Sequence, residues 1–349
     1  MRRALRTILL RFLSLALVVV AVLALLTIVL GLTGISDRIL TSMAEQTLQE
    51  VRRSLAMKIK DPEALREAIE AQREEIYRAY GLDKPWYVRM PQMMLRIAFF
   101  DLGRTRVIKG FTGSQLISEI ILERLPNTIL LITTAVAISA ILGIWMGVKV
   151  ASKPGTWLDR ITSYLSAISY ALPSWWTGIM FILVFGFYLR IFPLGGMYST
   201  PPPEDPIQML LDLLWHSVLP ILTLVLVSVG GWIYGTRTIV LTTAQEDFVA
   251  AARMRGLPER IVRRRYILRV AAPPIITNLI LGLAGSLGGS IMIETVFGWP
   301  GMGSLYYQAI TSMEEGLIAA LTYIYTLIYV VARFILEILY IALDPRIRI

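Results

Sequence analysis

The sequence contains no cysteine and only one histidine, His216. Without cysteine there are no disulfide bonds and no thiolate metal sites, and one histidine excludes metal sites built from several. The sequence also has no GxxxxGK[ST] phosphate loop and no GxSxG nucleophile elbow. We therefore expect neither an intramembrane enzyme nor a cofactor on this chain, and any ATP that drives it should bind another subunit.

Charged residues are also scarce. They make up 17% of the 349 residues, whereas apolar residues make up 56% and the mean hydropathy is +0.64. This much apolar surface needs a lipid environment, which disfavours a soluble enzyme. Most of the long runs without Asp, Glu, Lys or Arg reach the roughly 20 residues that cross a bilayer as a helix. These runs are residues 12–36, 126–148, 161–189, 213–236, 270–293 and 316–332.

Basic residues lie beside alternate ends of these runs. The N-terminal segment has four, residues 149–160 have three, residues 237–269 have eight and the C-terminal tail has two. On the opposite side, the segment after the third run holds only Arg190, and the segment between the fifth and sixth runs holds none. The positive-inside rule then predicts that both termini are cytoplasmic. This pattern accounts for the net charge of +9 without a nucleic-acid partner.

The sequence thus predicts an all-α polytopic membrane protein with six transmembrane helices. Residues 1–36 are expected to form an uncleaved N-terminal anchor helix, and residues 37–125 an extracytoplasmic segment that is mainly helical. Residues 126–349 are expected to form a core of five transmembrane helices. This core includes a cytoplasmic loop, residues 237–269.

Three of the predicted transmembrane helices have unusual residues. Pro173 and Pro220 should kink the third and fourth helices, because proline lacks the N–H that the helix needs. The sixth helix extends beyond its charge-free run only if Arg333 and Glu337 are tolerated. Since these residues are four positions apart on one helical face, we expect them to pair and to point into protein rather than lipid.

The most informative loop segment is residues 246–269. Asp247 is a candidate N-cap and Gly256 a candidate C-terminal stop for a short helix of about 13 Å. Its three consecutive alanines, residues 250–252, give the helix a smooth face that allows close approach by a partner. The pattern predicts a helix that docks in a groove of another protein.

This loop resembles the EAA motif of ABC importer permeases, in which Glu-Ala-Ala is followed by three further residues and then glycine. Ala251, Ala252 and Gly256 match the pattern, whereas Ala250 replaces the glutamate. Further along, Leu268 matches a leucine of the motif. Tyr266 and Arg269 replace its isoleucine and proline, departures that are typical of the peptide-permease branch.

Other segments resemble the B-type permeases of dipeptide and oligopeptide importers, in the same order along the chain. The external motif, residues 294–303, reads ETVFGWPGMG and includes Glu294, Trp299, Pro300 and Gly301. The remaining matches are residues 80–85 (YGLDKP), 101–103 (DLG), 123–126 (ERLP) and 343–348 (LDPRIR). The resemblance covers nearly the whole chain.

The resemblance implies the type I ABC importer permease fold and half of a translocation pathway for peptides. The implied partners are a homologous second permease, two cytoplasmic ATPases that carry ATP and Mg²⁺, and an external solute-binding protein. The implied coupling helix, which would sit in a cleft of the ATPase, consists of Asp247, Ala250, Ala251, Ala252, Arg253, Arg255 and Gly256.

Several alternatives remain open at this stage. Related permeases carry oligosaccharides or nickel, and a secondary transporter or channel would also have apolar helices and intramembrane charges. The arginines of the loop, Arg253 and Arg255 among them, either set the topology or contact the ATPase directly. Glu294 either faces the pathway or pins the external motif in place.

Overall fold

The computed structural model describes residues 2–343, and their regular secondary structure is helical. The chain divides into two compact units. One contains residues 124–305 together with residues 2–12 and residues 328–343. The other contains residues 13–123 and 306–327. The C-terminal motif predicted at residues 343–348 lies, apart from Leu343, outside the described residues.

Four helices precede the long apolar helices of the chain. They are α1 (Arg2–Leu32), α2 (Ile35–Lys58), α3 (Pro62–Ala79) and α4 (Trp86–Ala98). α2 and α3 pack together through Ala44, Leu48 and Ile76, which are buried. The break between them lies between Lys58 and Pro62, and the carboxylate of Asp61 accepts a hydrogen bond from the Glu63 N–H and caps α3.

The remaining helices follow in chain order. They are α5 (Ile117–Ala151), α6 (Trp157–Ala171), α7 (Ser174–Tyr188), α8 (Pro206–Ala244), α9 (Asp247–Met254), α10 (Glu259–Ser286), α11 (Ile291–Val296), α12 (Met302–Thr311) and α13 (Glu315–Leu343). Over the described residues, α5, α8, α10 and the Gly316–Leu339 part of α13 are long and apolar enough to cross a membrane, and α6 with α7 would make a fifth span. The apolar part of α1, Leu13–Val29, is shorter.

The third predicted helix is broken rather than kinked. α6 and α7 meet at an angle of 93° at Leu172 and Pro173. Leu172 has the extended conformation (ψ 121°) that a residue before proline prefers, because the proline ring disfavours the helical one. The prediction that Pro173 interrupts this helix is confirmed, and the interruption is a break of 93° rather than a kink.

The fifth predicted helix ends earlier than its charge-free run. α10 stops at Ser286, and Gly289 takes a left-handed conformation (φ +77°) before α11 begins at Ile291. Glycine adopts this conformation without the steric cost that a Cβ would impose. The last residues of the run therefore belong to a separate short helix, which leads into the external motif.

α8 packs closely against two helices of its unit. Gly147 of α5 lies against Thr236, and a Cβ at Gly147 would stand 2.7 Å from the Thr236 Cβ. On the α6 side, a Cβ at Gly230 would stand 2.7 Å from the Ser169 Cβ. Small residues let these helix backbones approach closely, as is common for helices packed in lipid.

Candidate functional site

The short helix in the loop after α8 begins one residue earlier than predicted. Glu246 occupies the N-cap position, with an extended backbone (φ −67°, ψ 146°), and its side chain makes no capping hydrogen bond. Asp247 is the first helical residue, so the prediction of Asp247 as the N-cap was wrong. Its carboxylate still lies in the first turn, where the helix dipole favours negative charge.

One face of α9 is held in a hydrophobic cluster. Val249 and Ala252, three residues apart, are both buried there. They pack with residues of α8 and of the start of α10, including Val240, Val262 and Ile267. α9 is therefore fixed to α8 and α10, and a force applied to α9 acts on both helices.

The other face of α9 is exposed. Ala250, Ala251 and Arg253 all lie on this open surface, as does Arg255 just after the helix. Two large apolar side chains accompany them: Phe248 is 39% exposed and Met254 is 83% exposed. The sequence analysis did not select these two residues, although large apolar residues on either side of Ala251 were a visible signal of a contact surface.

α9 ends in a Schellman motif at Gly256. The Gly256 N–H donates to the Arg253 carbonyl (2.9 Å), and the Leu257 N–H donates to the Ala252 carbonyl (3.4 Å). Gly256 has φ +75°, and a Cβ there would meet no atom within 4 Å. The constraint at Gly256 therefore comes from the backbone conformation and not from lack of space.

Arg253 has a partner within the chain. Its guanidinium donates to Glu259 through Nε (3.2 Å) and Nη2 (3.0 Å), which ties the end of α9 to the start of α10. The hydrogen bond and the charge of Glu259 raise the pKa of Arg253 above its usual value. Both side chains are largely exposed, so this pair contributes little to stability.

The carboxylate of Glu294, in α11, is fully buried and surrounded by hydrogen-bond donors. It accepts from the Ser304 N–H (2.8 Å), the Ser290 N–H (3.3 Å) and the Thr128 hydroxyl (3.0 Å). Burial raises the pKa of this carboxyl, and the hydrogen bonds act in the opposite direction. The arrangement joins α11 to α5 and to the start of α12.

The rest of the external motif is joined to α5 in the same way. The indole Nε1 of Trp299, which is fully buried, donates to the Asn127 carbonyl (2.9 Å). The Asn127 side-chain amide donates in turn to the Pro300 carbonyl (2.8 Å). A Cβ at Gly301 would stand 2.5 Å from the Thr128 Oγ1, so the motif has no room for a side chain there.

Arg333 and Glu337 lie one turn apart on α13, and both are partly exposed. Their mutual ion pair and their orientation toward protein stay predictions.

A cavity of about 530 Å³ lies beside the break between α6 and α7. Its wall contains polar groups from Ser174, Ser228, Thr236 and Asn278, together with the ring of Tyr170. The other lining residues are also uncharged. The sequence alone did not identify these residues, because their spacing within apolar helices has no distinctive pattern.

The apolar helices, the open face of α9 and the uncharged cavity are features of a multi-pass membrane protein of the transporter class. The chain belongs to the family described as binding-protein-dependent transport system inner membrane component, which matches residues 139–349. This assignment confirms the resemblance to ABC importer permeases that the motifs indicated.

Individual relatives cover most of the chain. It is 32% identical to the oligopeptide transport system permease protein AppB of Bacillus subtilis, over 80% of this chain and 85% of the relative. It is 33% identical to a putative peptide transport system permease protein of Brucella abortus, over 79% and 84%. It is 30% identical to the probable D,D-dipeptide transport system permease protein DdpB of Escherichia coli, over 78% and 84%.

Proposed function

We propose that this chain forms half of the translocation pathway of an ATP-driven importer for di- and oligopeptides. The observation that carries the proposal is α9, which is fixed to α8 and α10 by Val249 and Ala252 and leaves its other face open. Peptide is the proposed substrate because relatives of similar length are named as oligopeptide and D,D-dipeptide permeases.

In this proposal α9 is the coupling helix. Phe248 and Met254 would seat in a cleft of a cytoplasmic ATPase, with Ala251 between them allowing close approach. Closure of two ATPases around ATP and Mg²⁺ would move α9, and α9 would move α8 and α10. Such switching requires that nucleotide and substrate each bind one conformation more tightly than the other.

The uncharged cavity beside the α6–α7 break would form one wall of the pathway. Hydroxyl and amide groups, such as those of Ser228 and Asn278, are able to hydrogen-bond to a peptide main chain. A wall without charged residues does not select strongly between acidic and basic peptide side chains. Selectivity would then come mainly from the external solute-binding protein that delivers the peptide.

The proposed topology has six spans and both termini in the cytoplasm. The first span would be the apolar part of α1, and α6 with α7 would supply the third. The division into an anchor at residues 1–36, an extracytoplasmic segment at 37–125 and a core at 126–349 is part of this proposal. A homologous second permease would complete the pathway, and the chain itself would carry out no catalysis and bind no cofactor.

The coupling proposal is tested by Gly256→Asp in the full transporter, reconstituted with its second permease, ATPases and binding protein. We expect ATP-dependent peptide uptake to be lost while membrane insertion is retained. The matched control is Gly113→Asp, because Gly113 also has a left-handed backbone (φ +82°) and open surroundings. Undiminished uptake by Gly256→Asp, or equal loss in both variants, would contradict coupling through α9.

The substrate is tested separately, by measuring what the partner binding protein retains. We expect it to bind peptides of two or more residues. Retention of only a sugar or only nickel would contradict the peptide assignment and would leave the coupling proposal unaffected.

A further inference from the structure

α4 is attached at its N-terminal end to the end of α1. The ring of Trp86 lies directly against Gly31, where a Cβ would overlap the indole. Three residues further along, the guanidinium of Arg89 forms an ion pair with the Asp37 carboxylate. The first turn of α4 is therefore held where the apolar helix α1 ends and α2 begins.

The C-terminal end of α4 is attached to the beginning of α13. Phe100 makes an edge-on contact with the buried ring of Tyr323, with 6.1 Å between the ring centroids. A small cavity of about 80 Å³ separates the end of α4 from Gly316 and Ala319. Since Gly316–Leu339 is apolar enough to cross a membrane, this end of α4 lies beside the first turns of a membrane-spanning segment.

α4 exposes apolar side chains and buries an arginine, which is the opposite of a helix on the surface of a water-soluble protein. Of the two arginines of α4, Arg89 is only 5% exposed and Arg96 is 37% exposed and paired with Asp101. In contrast, Val88 and Leu95 of α4 and Phe99 directly after it are 52%, 59% and 81% exposed. Positions 88, 95 and 99 fall on one helical face, and position 89 lies about 100° away from it. A helix that faced water would bury the apolar stripe and would not bury Arg89.

We infer that α4 is an interfacial helix whose stripe of Val88, Leu95 and Phe99 rests in the lipid bilayer that the chain spans. The bilayer is the occupant because both ends of α4 adjoin apolar helices, and Val29 and Leu32, on either side of the Gly31 contact with Trp86, are also exposed. Trp86 and Tyr87 at the start of α4 are residue types enriched at the membrane interface. The inference does not depend on the transported substrate or on coupling through α9.

The absence of cysteine makes this surface directly testable. Single-cysteine variants Val88→Cys, Leu95→Cys and Phe99→Cys of the full chain would carry a nitroxide label in phosphatidylethanolamine–phosphatidylglycerol nanodiscs. Collision of the label with dissolved oxygen and with a water-soluble nickel chelate is then measured. The matched control is Met57→Cys, since Met57 is an apolar residue of α2 that is 83% exposed.

We expect labels on the stripe to meet oxygen more than the nickel chelate, and the Met57 label to show the reverse ratio. If the stripe labels show the same ratio as Met57, the surface faces water and the inference is wrong. If they are shielded from both reagents, protein rather than lipid covers α4, which also overturns it. Three independent positions keep the test valid when one variant fails to fold.

Discussion

The external motif and α9 differ in how many of their polar and apolar groups have a partner within the chain. In the external motif, Glu294 and Trp299 are fully buried and each is hydrogen-bonded to α5 or α12. On α9, Met254 and the smooth Ala250–Ala251 face remain exposed. The polar groups of the external motif are paired within the chain, whereas α9 leaves apolar surface open, as a contact surface for a partner would.

This difference indicates separate roles for the two predicted sites. A buried carboxylate with three donors is costly to disturb, because each donor left without an acceptor loses a hydrogen bond. An exposed helix face can be altered with little effect on folding, so changes there should act on partner binding. Substitutions at the two sites should therefore separate folding from coupling.

The largest effect is expected for Glu294→Leu. Removing the carboxylate leaves the Ser304 and Ser290 N–H groups and the Thr128 hydroxyl without their acceptor, which should cost about 3 kcal/mol or more. We expect a lower thermal unfolding midpoint in detergent and less folded protein in the membrane. The control is Glu204→Leu in an exposed loop. Equal midpoints for the two variants would show that the buried network does not hold the external motif together.

A smaller effect, confined to coupling, is expected for Met254→Ser. Truncating an exposed apolar contact at the centre of an interface typically costs about 1.5 kcal/mol, or roughly tenfold in affinity. We expect weaker binding of the ATPase subunits to the reconstituted permease pair, with an unchanged unfolding midpoint. Met57→Ser is the matched control, because Met57 and Met254 are both 83% exposed. Unchanged ATPase affinity would place the docking surface elsewhere.

Local sequence features predicted much of this architecture. The charge-free runs located most of the apolar helices, since lipid favours continuous apolar surface. The end of α9 at Gly256 was predicted correctly, because a left-handed glycine that ends a helix depends only on a few neighbouring residues. Both signals depend on residues that are close together in the sequence, so a single sequence is enough to detect them.

Features that depend on tertiary contacts could not be predicted in the same way. Glu294, a carboxylate at the end of an apolar run, could by sequence either face the translocation pathway or hold the external motif in place. Its burial depends on Thr128, which is 166 positions away in the sequence. The three alanines of α9 are chemically identical, so nothing local indicated that Ala252 faces inward while Ala250 and Ala251 face outward. The 93° angle at Pro173 likewise exceeds what a proline alone predicts.

The smallest effect is expected for the exposed pair of Arg253 and Glu259. A double-mutant cycle with alanine at each position should give a coupling energy below about 1 kcal/mol, which decreases as salt is added. The same variants distinguish two roles for Arg253. If Arg253 acts only by tying α9 to α10, then Arg253→Ala and Glu259→Ala should reduce ATP-dependent uptake equally. If Arg253→Ala reduces uptake much more, the guanidinium contacts the ATPase directly, because removing Glu259 leaves that contact in place.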